Sequence, residues 1–533
     1  MPNQIRDIAT IDTESFPYIF ENNVTVKLKS NTGLVDSMSI DRKMANPPPF
    51  LAHSFEDVNP KHKSEHSAFE VPDPRFWTAD GYAVVRADEV GIGQSPGVCD
   101  TMSRSTTDAF VDVIEWAADQ PWSNGKIGLL GISYFAGTQW RVAARRPRGL
   151  TCYRCRHGGI LTARFLKFWH DRQVKSNQYG LPGREKNQRG PDTIEGDLTQ
   201  EELDQDRHDQ DVENALHFFR DEEYYASRDY NLEDIEVPLL SVGNLGNIVV
   251  HLRGNVEGYI NAGSEFKFLR LGTKGKQPKV TLALRKSGVP HDSLAAMSGQ
   301  AFPRRAENEW PLARTRYTKY FLSPDLTFAP QNPSVSVHKR LSYPALTVPE
   351  DNSFIRFTTS PFTEETEMTG HIVARVNVSV TPKLGGGVPK DIDIFLTLRH
   401  WDADGNEVFY TGSIGDPVPI SKGWQRVSLR KINYDHPRHR EWRLHRDYFS
   451  TDVQPVSPGE VYPVDVEVWP TQVIFQKGER LSFEISGGDT QGAGIFSHES
   501  PERSEERFGG MNHIHFGPNQ LNYVVLPIIP AAR

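Results

Sequence analysis

Ser133 stands in the run Lys126-Ile-Gly-Leu-Leu-Gly-Ile-Ser133-Tyr-Phe-Ala-Gly137, where a short apolar stretch meets a glycine-flanked turn. A serine hydroxyl attacks an acyl carbonyl when a base takes its proton and fixed N–H groups hold the oxyanion. A serine doing this has to project from a sharp strand-to-helix turn, so its flanks need small residues. Gly131 supplies one two positions before it. The following pattern, residues 138–146, is helical, and its unpaired N-terminal N–H groups would face charge developing beside Ser133. Phe135 is larger than this pattern prefers, while Ala136 and Gly137 are small. The competing reading is an ordinary Ser/Gly turn in a parallel-sheet protein.

The surrounding pattern supplies the elements that such a turn needs. Residues 81–88 and 126–130 read as strands, and 106–118 as a helix with Phe110, Val113, Ile114 and Ala117 on one face. Strand and helix alternating at this spacing predict a parallel sheet covered on both faces. Gly91-Ile-Gly-Gln-Ser-Pro-Gly97 is a glycine-rich loop, but it lacks the Lys-Ser/Thr of a P-loop and the spacing of a dinucleotide fingerprint. Residues 164–234 are polar and aromatic-rich, as a helical insertion would be, with a helix expected near 213–219. Sheet character resumes at 237–243, 266–271 and 280–285. Beyond about Arg316 short alternating segments are separated by Gly, Pro, Asp and Asn turns, for example 372–378, 391–398 and 481–486. Trp401-Asp-Ala-Asp-Gly-Asn406 reads as a hairpin turn. This pattern predicts an antiparallel jelly roll. The expected architecture is an α/β-hydrolase domain (mostly parallel sheet) over 1–315, with a helical insertion at about 164–234. An all-β jelly-roll sandwich over 316–533 follows it.

Composition narrows the function. The 533 residues carry a formal net charge of −9 with scattered positive residues, so no nucleic-acid partner is expected. No apolar run reaches membrane-spanning length, and the first thirty residues lack a secretory pattern, so a cytoplasmic protein with no membrane association is expected. Of three cysteines, Cys152 and Cys155 form a C-x-x-C without the second pair that a zinc site needs. No cofactor and no metal are expected.

Several motifs carry a resemblance. They include Gly81-Tyr-Ala-Val-Val-Arg-Ala-Asp88, Gln120-Pro-Trp-Ser-Asn-Gly-Lys126, Gly131-Ile-Ser133-Tyr-Phe-Ala-Gly-Thr-Gln-Trp140, His251-Leu-Arg-Gly254, Glu367-Met-Thr-Gly370 and Asp391-Ile-Asp-Ile-Phe395. Over most of residues 65–530 the chain resembles the cocaine-esterase / Xaa-Pro dipeptidyl-peptidase family of serine hydrolases. The resemblance implies cleavage of esters, amides or peptides through an acyl-enzyme. It makes Ser133 the nucleophile, and the N–H of Tyr134 an oxyanion donor beside a tyrosine hydroxyl from an early loop. A small-molecule or peptide acyl substrate follows, and large interdomain surfaces leave room for a homodimer.

The chain also departs from the family pattern, in blocks that look like missing segments. The family's acid follows the strand matching 237–243, where this chain has Gly243-Asn-Leu-Gly-Asn247 without a carboxylate. The family's histidine follows a further strand, where Gly272-Thr-Lys-Gly-Lys-Gln-Pro-Lys279 has none. The early tyrosine loop is absent, and residues 35–49 read neither as that loop nor as a strand. Strand character is also missing after Gly149-Leu150, and Val90 stands where an arginine is usual. His157, His170, Asp171, His251, Asp88 and Glu89 are the stand-ins weighed for the acid and base. Two alternatives follow: a non-catalytic relative acting as a binding or structural protein, and a chain too depleted of core elements to fold stably.

Overall fold

The computed structural model describes residues 6–7, 24–28, 35–38, 70–145, 156–182, 194–271, 278–297, 299–333 and 335–531. Cys152, Cys155, residues 39–49 and 272–277 lie outside them. The chain divides into two compact units. The first comprises Met1–Tyr153, Leu166–His217 and Glu223–Glu236, and the second Arg154–Phe165, Phe218–Glu222 and Val237–Arg533.

In the first unit, helix α1 (Arg104–Ala118) starts where the Ser103 hydroxyl accepts the Thr106 N–H at 3.2 Å. It buries Thr106, Ala109, Asp112, Val113 and Ala117, a 3–4 residue spacing that makes one face. Helix α2 (Tyr134–Ala143) follows Ser133 directly. Helix α3 (Ala163–Trp169), which belongs to this unit from Leu166 on, runs into a π-helical turn at His170–Val174, and α4 (Gln210–Leu216) follows Asp209.

Here the structure corrects the strand readings. Residues 82–89 and 126–131 carry no regular secondary structure and join no ladder among the described residues, and Leu130 and Ile132 are 55% and 61% exposed. A short apolar run becomes a strand only when a neighbour pairs its backbone groups. The described strands of this unit pair elsewhere, Val24–Val26 with Val35–Met38 and Arg6–Asp7 with Ile194–Glu195. That pairing also makes Val35–Met38 a strand, against the reading of residues 35–49.

The second unit holds two main sheets beside two short two-stranded pairings, Arg156–His157 with Ile160–Leu161 and Tyr410–Thr411 with Pro417–Val418. The smaller contains β1 (Leu239–Gly243), β2 (Lys267–Leu271) and β3 (Val280–Ala283) in parallel, with β4 (Arg304–Glu307) antiparallel to β3. Helix α5 (Leu252–Asn261) makes the crossover from β1 to β2 and buries Leu252, Val256 and Tyr259. The larger is a twelve-stranded antiparallel sheet that begins with β5 (Arg316–Leu322). Its long members are β6 (Thr366–Thr381), β7 (Asp393–Trp401), β8 (Ser421–Arg426), β9 (Tyr462–Phe475), β10 (Arg480–Ser486) and β11 (Tyr523–Ile529). They lie in the order β5-β11-β6-β9-β8-β7-β10, and a bridge between Thr327 and Thr358 draws the two ends of the sheet together. Valines at alternate positions of facing strands, such as Val376, Val378, Val464 and Val466, are fully buried in its core. The fold is therefore an α/β-hydrolase-type architecture followed by a jelly-roll-like β-sandwich. No described helix is long and apolar enough to cross a membrane.

Candidate active site

The backbone at Ser133 has φ 58° and ψ −119°, a conformation that side chains other than glycine rarely adopt. Holding a serine there costs on the order of 1–3 kcal/mol, which the surrounding contacts must over-determine. Those contacts are visible. The Ile132 N–H donates to the Glu70 carbonyl at 3.1 Å, and the Gly137 N–H donates to the Ser133 carbonyl at 2.9 Å. A Cβ on Gly131 would fall 2.6 Å from the Phe135 Cβ and 3.0 Å from the Gln139 amide nitrogen. The small residue two positions before the serine is thus a steric requirement of the helix that follows. Gly131→Ala is expected to cost about 1–3 kcal/mol, read as an earlier unfolding midpoint.

Tyr134 occupies the first helical position, whose N–H an α-helix leaves without an intrahelical partner. Its side chain is fixed as well. The phenol donates to Glu89 Oε2 at 2.6 Å and accepts the Met102 N–H at 3.3 Å. Its ring lies 5.2 Å from that of Trp169. The other Glu89 oxygen, Oε1, is shut away from water with no hydrogen-bond partner among the described residues. Burial pushes Glu89 up to about 7, against a lowering hydrogen bond from Tyr134. Glu70 is likewise pushed up to about 7 by burial. Arg141, 5% exposed on α2, donates to the Arg228 carbonyl at 2.5 Å, and Arg228 in turn pairs with Asp100.

The raised Glu89 gives a pH prediction with a definite sign. Between about 4.5 and 7 the folded chain keeps a proton that the unfolded chain releases. The stabilisation is therefore complete below 4.5 and is lost as pH rises through 7. Glu89→Gln keeps an acceptor for Tyr134 and removes this titration. The unfolding free energy of the parent relative to the variant should fall by on the order of 3 kcal/mol from acid to pH 8. A difference that stays flat across that range would contradict the buried carboxyl.

The stand-ins weighed from sequence are distributed differently. Glu89 reaches the residue after Ser133 through the Tyr134 phenol. Asp88 closes the glycine-rich loop: its Oδ2 accepts the Gln94 N–H at 3.0 Å, and its carbonyl accepts the Ser95 hydroxyl at 2.9 Å. A Cβ on Gly93, which has φ +60°, would fall 2.2 Å from that carboxylate, so the glycines serve loop closure. Asp171 pairs with Lys167 and Lys175, both at 3.2 Å. In the second unit, His251 precedes α5 and burial lowers it to about 4, so it is neutral at pH 7. His157 lies 3.0 Å from His498 Nε2, whose Nδ1 is 3.0 Å from Asp489, and sits between Trp424 and Trp469. Where the family acid was expected, Asn247 Oδ1 accepts the Ser413 hydroxyl at 2.6 Å. No triad acid or histidine is identified among the described residues.

Glu70 was missed by sequence reasoning. It has φ 66°, itself unusual outside glycine, and its carbonyl anchors the turn. Lying sixty-odd residues before the serine (residue 70 against 133), it has no motif to announce it.

Two models of known families match the chain. The X-Pro dipeptidyl-peptidase (S15 family) model covers residues 44–265. The X-Pro dipeptidyl-peptidase C-terminal non-catalytic domain covers 273–525. The chain belongs to this family. Cocaine esterase of Rhodococcus is 22% identical over 84% of this chain and 88% of its own. A CocE/NonD family hydrolase from Staphylococcus aureus has a similar fold, at a TM-score of 0.73 and 21% identity over 96% of this chain and 93% of that one. An aminopeptidase from a marine-sediment Thaumarchaeota archaeon superposes with a TM-score of 0.63 at 14% identity, covering 99% of each chain. For this S15-family chain the family carries serine-hydrolase chemistry on ester or peptide bonds, with a small-molecule or peptide substrate.

Proposed function

We propose that this chain is a cytoplasmic serine hydrolase that cleaves ester or amide bonds through an acyl-enzyme on Ser133. The observation that carries the reading is the strained backbone of Ser133, φ 58° at the head of α2, with Gly131 making room for the turn. In the first step the Oγ–acyl bond forms, the bond to the alcohol or amine leaving group breaks, and the serine proton passes to that group. The oxyanion accepts from the Tyr134 N–H at the first helical position. Water then breaks the acyl–Oγ bond and restores the serine. The division at about residue 315, with an insertion over 164–234, belongs to the same reading and is supported by the antiparallel sheet that begins at Arg316.

Substrates of the relatives bracket the test. Hydrolysis of short p-nitrophenyl esters and of an X-Pro p-nitroanilide should be followed for the parent and Ser133→Ala. Turnover by the parent alone supports the reading, and the preferred substrate assigns the leaving group. A second reading, a non-catalytic relative used for binding or structure, is favoured by one observation: no triad acid or histidine is identified among the described residues. Folded parent protein without turnover on either substrate class would select it.

A further inference from the structure

The π-helical turn at the end of α3 places one buried imidazole among carboxylates. His170 is 0% exposed, and neither ring nitrogen has a hydrogen-bond partner among the described residues. Asp211 Oδ1 is shut off in the same way. His170 Nδ1 faces Asp211 Oδ1 at 3.4 Å and Asp209 Oδ1 at 3.9 Å, and neither contact makes a hydrogen bond. The 3.4 Å separation suits a different role, and the 3.9 Å one would have to close by a few tenths of an ångström to join it. Two N or O ligands at about 2.0–2.2 Å from one tetrahedral ion sit roughly 3.3–3.6 Å apart. The three ligand atoms all lie within 4.8 Å of one another. π-helical turns also recur at functional sites, because the extra residue re-aims a side chain.

We propose that His170 Nδ1, Asp209 Oδ1 and Asp211 Oδ1 bind one divalent first-row transition ion, with solvent completing the shell. One imidazole with two carboxylates selects ions such as Zn²⁺ over the all-oxygen preferences of Ca²⁺ or Mg²⁺. The charged groups around the cluster hold the carboxylates from outside. Lys175 Nζ lies 3.4 Å from Asp209 Oδ2 and Lys167 Nζ lies 4.0 Å from Asp211 Oδ2, which leaves Asp211 Oδ1 to His170. Arg207 Nε donates to Asp209 Oδ1 at 2.5 Å, as an outer partner of a ligating carboxylate does. Asp171 bridges the two lysines. The ion would tie the turn His170–Val174 to the first turn of α4. Trp169, next to His170, packs on Tyr134 at 5.2 Å, so the brace reaches the residue after Ser133. In the second group of potential ligands, Glu257, His371 and Glu467, two members are already engaged, although His371 Nδ1 and Glu257 Oε1 have no hydrogen-bond partner among the described residues. Arg253 pairs with Glu467 at 3.0 Å, and Trp310 donates to His371 at 3.2 Å.

The test is metal binding by the full chain and does not depend on turnover. Chelator-stripped protein is titrated with Zn²⁺ and bound metal is counted after desalting, with Co²⁺ absorption as a second reading of the ligand set. The expected result is one ion per chain, a Zn²⁺-dependent rise in melting temperature, and a visible Co²⁺ band. Asp211→Asn should weaken Zn²⁺ at least about 100-fold and abolish the band. His170→Asn should do the same. If that buried exchange prevents folding, the Asp211 variant alone decides. No bound ion in the parent, or an ion retained at parental affinity in Asp211→Asn, would overturn the assignment.

Discussion

Ser133→Ala is expected to lower ester or amide hydrolysis by about 10⁴-fold or more, leaving only what binding and the oxyanion donor supply. The same substitution should barely move the unfolding midpoint, because alanine meets the same φ 58° penalty as serine. Ser133→Gly separates chemistry from strain. It should be as inactive as the alanine variant, yet more stable than the parent by about 1 kcal/mol, since glycine adopts this backbone without penalty. Equal stability of the glycine and alanine variants would show that the turn stores no strain. Parental turnover in the alanine variant would remove Ser133 from the chemistry.

The second large effect lies in the β-rich unit. Asp393→Ala should destabilise it by about 3–5 kcal/mol, measured as a shift in denaturant midpoint at constant slope. Asp393 is fully buried and accepts from Arg426 Nε at 2.8 Å, from Arg426 Nη2 at 3.0 Å and from Arg503 Nε at 3.1 Å. Arg426 is 2% exposed at its side chain, so truncating the aspartate leaves a buried guanidinium with Glu502, 3.1 Å away, as its one remaining carboxylate partner among the described residues. Arg426 holds its partner's pKa below the ordinary value despite burial, so this stabilisation is present above the unfolded aspartate's pKa and fades as pH falls. Asp391, two residues earlier, accepts the Ser428 N–H at 3.0 Å and its hydroxyl at 2.5 Å. The Asp391-Ile-Asp-Ile-Phe395 motif is therefore a buried polar anchor where the chain enters β7, with Ile392 and Ile394 in the core. A loss below about 1 kcal/mol would contradict this.

These two sites differ in how far they could be read before the structure. The turn at Ser133 was legible because its geometry leaves a local mark: small residues before the serine and a helical pattern after it. The β-sandwich was legible because half-buried strands alternate, and β6, β7 and β10 fall on the segments picked out by that alternation. Residues 81–88 and 126–130 look like strands for the same reason, but composition does not reveal whether a pairing neighbour exists. The environment of Tyr134 was hidden more deeply. Glu70 enters through a backbone carbonyl, which leaves no trace in residue type. Glu89 was visible only as a candidate acid, and its bond to the phenol comes from a loop forty-five positions away. The same holds for His170 and Asp211, which meet across the insertion.

The most direct measurement is fluorophosphonate labelling of folded protein, with the adduct located by peptide mass spectrometry. An adduct on Ser133, absent from Ser133→Ala, is the predicted result. A cooperatively folded parent that takes no label, or one labelled at another serine, would contradict an activated Ser133.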